Sequence, residues 1–264
     1  MTAELNGRLA FAHELADTAG KVIRPYFRQR IEITNKAREG LFDPVTEADR
    51  AAERMLRAMI EERFTDDAIL GEEYGAKAGR SGFRWVLDPI DGTRAFIAGQ
   101  PMWGTLISLE HDGVPILGVL DQPFLGERFI GFEGGAELRT GAVVAPLRVR
   151  ACAALADAVI CTTHPMQHFN DEERGHYMRV ERATRLSRYG GDCYAYALVA
   201  MGFVDLVIET DLKRWDISAI VPIVEGAGGV VTNWQGEKII DGGAIVAAGD
   251  ARVHREALAL LNLR

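Results

Sequence analysis

The residues best placed to do chemistry are carboxylates, and two of them stand in the stretch WVLDPIDGTRAF, Trp85 to Phe96. Trp85, Val86 and Leu87 read as a buried strand that should end at Asp88, because Pro89 removes a backbone donor from the ladder. Gly92 permits a backbone that residues with a Cβ resist, which puts Asp91 in a tight turn. Two like charges this close oppose each other's ionisation unless a cation lies between them. Taken alone, Asp-Pro and Asp-Gly are ordinary turn dipeptides. The metal reading rests on their company. AILGEE is a second short apolar strand that opens onto Glu72 and Glu73, and Asp216 opens a helix in RWDISA. Carboxylates at strand ends and helix starts converge on one edge of an α/β sheet. A set of hard oxygen donors with no His or Cys interleaved suits Mg²⁺ or Mn²⁺ better than Zn²⁺. Asp216 by itself would be read as a charge favoured by the helix dipole.

The elements that must position these groups follow from periodicity. Leu5, Leu9, Ala12, Leu15, Ala19, Ile23 and Phe27 recur at helical spacing, which predicts one long amphipathic helix stopping near Arg28–Arg30. Thr46 and Asp49 have the spacing of a capping box, opening a helix that runs to about Phe64. From Gly104 to about Val149 short apolar runs are broken by HDG and EGG, the pattern of β-hairpins. Beyond Val149 strands and helices alternate: a strand at AVICTT, helices near 172–183 and 193–201, and a strand at VDLVIE. One helix over WDISAIVPIVEG, a strand at AIVAAG and a terminal helix over 254–262 complete the order. Two closely packed units are expected, an α+β unit over 1–149 and an α/β unit over 150–264.

With 264 residues, 48% hydrophobic and 26% charged, the chain has the composition of a globular protein with a large core. Its formal charge of −8 disfavours binding to nucleic acid or to an anionic membrane. Cys152, Cys161 and Cys193 form no C-x-x-C pair, so neither a disulfide framework nor a zinc knuckle is expected. No signal-type N-terminus and no run of eighteen apolar residues is present, so a soluble cytoplasmic protein is expected.

GEE at 71–73, DPIDGT at 88–93 and WDISA at 215–219 resemble the three signature blocks of the inositol monophosphatase superfamily, in the same order and at similar separations. The resemblance runs from PVTEAD at 44–49 to EGAGGVVTNWQGE at 225–237. It implies an αβαβα layered sandwich and a Mg²⁺-dependent phosphatase using two to three ions, for which Mn²⁺ can substitute. By resemblance, Glu72, Asp88 and the Ile90 carbonyl hold one ion, and Asp88, Asp91 and Asp216 hold a second. Thr93 and Asp49 resemble the pair that orients and deprotonates the attacking water. The Gly92 and Thr93 amides at a helix start would bind phosphate. A homodimer acting on a small phosphate monoester, without nucleic-acid or membrane partners, is the matching expectation.

The stretch RYGGDCYAYALVAMGFVDLVIE, 188–209, looks like the histidinol-phosphatase branch, as does GTRAFIAGQPMWGTLI at 92–107. Histidinol phosphate carries an ammonium and an imidazole, which extra carboxylates would receive. Asp192 and Glu209 are the candidates, though Asp192 also reads as the N-cap of the following helix. Arg188 and Arg214 read equally as surface charges, Trp103 as a packing residue, and His164 and His168 as polar surface residues. Two alternatives stay open: an inositol monophosphatase of broad specificity, and a regulatory protein of the RNA machinery that kept a phosphatase fold.

Overall fold

The structure is a computed structural model, and it describes residues 3–30, 32–35, 44–239 and 241–263. The first part of the chain forms α1 (Ala3–Ile23), β1 (Ile33–Asn35), β2 (Pro44–Thr46), α2 (Glu47–Arg63), β3 (Ala68–Gly71), β4 (Gly75–Lys77), β5 (Phe83–Asp91) and α3 (Thr93–Ile97). Five strands follow: β6 (Gly104–His111), β7 (Val114–Gln122), β8 (Glu127–Phe132), β9 (Gly135–Thr140) and β10 (Val143–Pro146). The next elements are β11 (Val159–Thr162), α4 (Pro165–His168), α5 (Asp171–Arg182), β12 (Leu186–Tyr189), α6 (Asp192–Ala200) and β13 (Leu206–Lys213). The chain closes with α7 (Arg214–Ile217), α8 (Ile220–Gly226), β14 (Val230–Asn233), β15 (Gly242–Ala248) and α9 (Ala251–Leu261).

Strands β3 to β10 make an eight-stranded sheet in the order β10-β9-β8-β7-β6-β5-β3-β4, antiparallel except where β3 runs parallel to β5. A five-stranded mixed sheet has the order β12-β11-β13-β15-β14, and β1 pairs with β2 alone. Helices α1 and α2 cover one face of the large sheet, α6 and α8 lie between the two sheets, and α5 and α9 cover the far face of the small one. This is the αβαβα sandwich. Because both faces of the large sheet are covered, β6 is buried almost throughout. Leu106 joins the core shared with α6 and α8, while its neighbour Ile107 joins the core under α1 and α2. At the HDG turn, Asp112 and Gly113 both have positive φ, 49° and 82°, as a two-residue hairpin of the primed type requires.

Three prolines account for departures from the expected boundaries. The first helix ends at Ile23 in a 3₁₀ turn over Arg24–Tyr26, not near Arg28, because Pro25 cannot donate to the ladder. The strand carrying Asp88 does not end there; β5 continues to Asp91 through a register shift between Asp88 and Asp91. Pro89 is tolerated at that irregularity, and its carbonyl accepts from Thr105 Oγ1 at 2.8 Å. The helix expected over 215–226 is two, α7 and α8. Pro222 has no N–H for the Ser218 carbonyl, which accepts from Ser108 Oγ instead, at 3.1 Å.

Helix α8 lies flush on the large sheet because glycines face it. A Cβ on Gly118 would come within 2.0 Å of the Ala219 oxygen, and one on Gly131 within 2.2 Å of the Pro222 and Ile223 backbone. Among the described residues no helix is long and apolar enough to cross a membrane.

Gly131→Ala is therefore expected to destabilise the fold by about 1–3 kcal/mol, the usual range for overpacking, and to lower Tm by several degrees. Gly7, at an exposed position of α1 with nothing within 4 Å of its Cβ position, should do the reverse. Gly7→Ala is expected to stabilise by about 0.5–1 kcal/mol through helix propensity. Thermal melts of both variants check the pair, and equal effects would refute the close-approach argument.

Candidate active site

A cavity of about 490 Å³ opens where the C-terminal part of β5, the turn after β3, α6, β13 and α7 meet. Glu72, Asp88, Asp91, Asp192, Glu209 and Asp216 all line it, so the structure brings together six of the carboxylates named from the sequence. Ile90, Gly92 and Thr93 line it as well. Asp49 does not, among the described residues.

Asp88, Asp91 and Asp216 each offer an oxygen, and these oxygens lie within 4.8 Å of one another. Each carboxylate is fixed by one backbone N–H: Ile90 to Asp88 at 3.1 Å, Cys193 to Asp91 at 2.8 Å, and Lys213 to Asp216 at 2.6 Å. No Lys or Arg is ion-paired with any of the three among the described residues. Burial, reinforced by the neighbouring acids, pushes all three above the ordinary carboxylate range. Carboxylates held at this spacing offer a hard-oxygen donor set that fits a divalent cation such as Mg²⁺.

The supports of this cluster are long-range. Glu72 follows β3, and its N–H donates to the Leu87 carbonyl of β5 at 3.2 Å, beside Asp88. The turn that carries it is shaped by Glu53 of α2, fully buried, which accepts from the Glu73 and Tyr74 amides at 2.7 and 3.2 Å. A Cβ at position 71 would strike that carboxylate at 2.0 Å. Asp216 rides on α7, which Arg214 fastens to the large sheet. Arg214 Nε lies 2.7 Å from Oε1 of fully buried Glu110, and Ser218 Oγ donates to the same oxygen at 2.9 Å. Arg214 is thus a half-buried structural cation, while Arg188 stays on the surface.

Gly92 caps α3 with φ 83°, and a Cβ there would lie 3.0 Å from Asp192 Cβ and 3.1 Å from Trp103 Cα. Both its handedness and its contact demand glycine. Asp192 is not an N-cap: Gly191 holds that position and Asp192 is the first helical residue, with φ 42°. Burial pushes it up to about 6. Glu209 lies inside β13 ahead of an irregularity in the pairing with β15. Its Oε1 accepts from Thr163 N and Oγ1 at 2.7 and 2.8 Å, and burial pushes it up to about 8.

Thr93 Oγ1 donates to the Ile90 carbonyl at 3.0 Å. Asp49 closes the capping box of α2, accepting from Thr46 N at 2.8 Å and from the Thr46 hydroxyl, and burial pushes it up to about 7. No hydrogen bond joins Thr93 to Asp49. Trp103 is fully buried against Phe27 and Phe96 and packs without facing the cavity. His168 departs from its reading as a surface residue. It is half-buried on the cavity wall, and its Nε2 lies 2.9 Å from Arg94 Nη1, so it accepts there, with burial lowering its pKa. Sequence reasoning also missed Thr163, Cys193 and Tyr196; the last stands one helical turn after Asp192, a signal that could have found it.

Comparison with known proteins agrees with this geometry. The pattern of the inositol monophosphatase family matches residues 4–262. The chain is 43% identical to the bifunctional phosphatase IMPL2, chloroplastic, of Arabidopsis thaliana, over 97% of this chain and 75% of the relative. It is 38% identical to a histidinol-phosphatase of Chlorobaculum parvum, over 92% of each. An inositol monophosphatase structure from Zymomonas mobilis superposes with a TM-score of 0.88 at 40% identity, covering 100% of both chains. A cleft of buried carboxylates built for a cation, on a fold shared over its whole length, places the chain in the inositol monophosphatase family, metal-dependent phosphatases that act on small phosphate monoesters.

Proposed function

We propose that the chain is a Mg²⁺-dependent histidinol-phosphate phosphatase, converting L-histidinol phosphate and water to L-histidinol and phosphate. The observation that carries this reading is the pair Asp192, half-buried, and Glu209, buried, on the same cavity as the aspartate cluster. Acids beyond those needed for metal are a standing cost in repulsion unless a cation regularly visits, and the head of histidinol phosphate is cationic. The histidinol-phosphatase name of the Chlorobaculum parvum relative supports the same substrate. The Zymomonas mobilis structure favours a second reading, an inositol monophosphatase of broad specificity. A neutral polyol leaves the two acids without a counter-charge.

In this mechanism Glu72, Asp88, the Ile90 carbonyl, Asp91 and Asp216 would hold two to three Mg²⁺ ions, with Mn²⁺ as a substitute. Such ions would supply Lewis acidity, lowering the pKa of a water and offsetting the phosphoryl charge. The Gly92 and Thr93 amides, at positions outside the intrahelical ladder of α3, receive phosphate oxygens. Thr93 orients the attacking water, and the resemblance gives its proton to Asp49, whose carboxylate would have to turn from Thr46 toward the cavity to take it. A carboxylate near pH 7 is well matched to that task. Asp192 and Glu209 hold the leaving alcohol's head. Three buried free cysteines support a reducing, cytoplasmic setting for the enzyme.

The deciding experiment is Mg²⁺-dependent phosphate release compared across histidinol phosphate, inositol 1-phosphate and glycerol 2-phosphate. Histidinol phosphate is expected to give the highest kcat/KM; inositol 1-phosphate in first place would hand the assignment to the second reading. Asp192→Asn is expected to lower kcat/KM for histidinol phosphate by a charge-assisted hydrogen bond, on the order of 1.5–3 kcal/mol or roughly tenfold to a hundredfold, and to spare glycerol 2-phosphate. Equal losses on both esters would make Asp192 a scaffold residue. Thr93→Ala should depress kcat with little change in KM, since water activation belongs to the chemical step. A rise in KM alone contradicts its role.

Titration of the buried acids sets a pH dependence. Glu209 at about 8 and Asp192 at about 6 both lie above the value of about 4 usual in an unfolded chain. Groups raised in the folded state contribute stability below their unfolded value and lose it as pH rises through the folded one. In EDTA, Tm is expected to fall between about pH 4 and about pH 8, and added Mg²⁺ to raise it more near pH 8 than near pH 5. Differential scanning fluorimetry across that range checks the sign; a Tm that climbs with pH in EDTA contradicts the clustered-charge account.

A further inference from the structure

Among the buried hydroxyls around the cavity, one stands out. Thr93 donates to the Ile90 carbonyl, Thr163 to Glu209 and Thr210 to the His168 carbonyl. Tyr196 also lines the cavity, is only 3% exposed, and its hydroxyl has no hydrogen-bond partner among the described residues. An orphaned buried hydroxyl is costly, and phenylalanine would fill the same space without that cost. Trp103 Nε1 is similarly orphaned but sits in aromatic packing away from the cavity, so the two are not alike. Tyr196 is one helical turn after Asp192 on α6, so the two side chains share a face. The charge of Glu209 acts on its phenol more than that of any other acid, followed by Asp91 and Asp216, and burial keeps it protonated. A protonated phenol does not serve as a metal ligand beside four better carboxylates. Its lone pairs remain available to a donor that arrives with the substrate.

We infer that Tyr196 is a specificity-determining residue, whose hydroxyl joins Asp192 and Glu209 in receiving the primary ammonium of the substrate's alcohol part. The inference rests on the histidinol-phosphate reading and deepens it. An ammonium has three N–H donors, and Asp192, Tyr196 and Glu209 supply three acceptors from one face of α6 and the facing strand β13. Glu209 Oε1 is already engaged by Thr163, so the remaining oxygen is the one turned to the ligand.

Tyr196→Phe removes the hydroxyl and keeps the ring. With the Mg²⁺-loaded enzyme, the ratio of kcat/KM for histidinol phosphate over glycerol 2-phosphate is expected to fall about tenfold, the usual scale for a hydrogen bond to a charged group. The inhibition constant of L-histidinol should rise by a similar factor while that of inorganic phosphate stays within about twofold. Tm should hold or rise, because an unsatisfied group has gone. A parallel weakening of L-histidinol and phosphate would show a scaffold role and overturn the inference, as would an unchanged ratio in a wild type that prefers histidinol phosphate. A wild type that prefers inositol 1-phosphate overturns the substrate reading itself, whatever the variant does.

Discussion

The rest of the molecule depends on one unfavourable arrangement, three aspartates held with oxygens within 4.8 Å of one another and out of water. Left alone, such groups would protonate or move apart. They cannot move apart, because each is anchored by a backbone amide and carried on an element that cannot shift, so the repulsion that remains shows as pKa values raised above the carboxylate range. Asp88 and Asp91 belong to β5, paired on both sides within the large sheet. Asp216 belongs to a single-turn helix with no stability of its own. Its rigidity comes from the pairing of Arg214 with buried Glu110, with Arg84 bonded to the same carboxylate, and from α8 pressed onto Gly118 and Gly131. Packing energy gathered across the sandwich thus offsets the repulsion concentrated at its cleft.

Much of this was legible in the sequence, and what was not has a common cause. The acidic blocks were found because turn chemistry and strand patterning are local, and six of the carboxylates named from them share the cavity. Helical and alternating patterns found α1, α2 and the hairpins of the large sheet for the same reason. The errors arise where a distant partner changes a local rule. Pro89 reads as a strand terminator until Thr105 takes its carbonyl, and Pro222 reads as tolerable in one helix until Ser108 takes the carbonyl it strands. Glu53 looks like any exposed helix acid, yet it is fully buried and shapes the turn that carries Glu72. Asp192 looks like a cap, and its φ of 42° becomes intelligible only beside Gly92, more than ninety residues away in sequence.

That contact also explains how selectivity and chemistry are joined. The large sheet supplies Glu72, Asp88 and Asp91, while elements after Val149 supply Asp192, Glu209 and Asp216. Two close approaches stitch the sides together: the Cys193 amide on Asp91, and the Gly92 backbone against Asp192. If Asp192 receives the head group as proposed, the contact would fall on the helix whose second amide, that of Cys193, is bonded to Asp91, and beside Gly92. On the proposed reading, the alcohol end and the phosphate end would be linked by the Cys193 amide, 2.8 Å from Asp91, and by an approach of Asp192 to Gly92 too close to admit a Cβ. In a cleft this crowded with negative charge, the cationic head of the proposed substrate would do more than identify it. It would neutralise acids that otherwise oppose the approach of an anionic phosphate, so the same ionic contacts would serve both affinity and the chemical step.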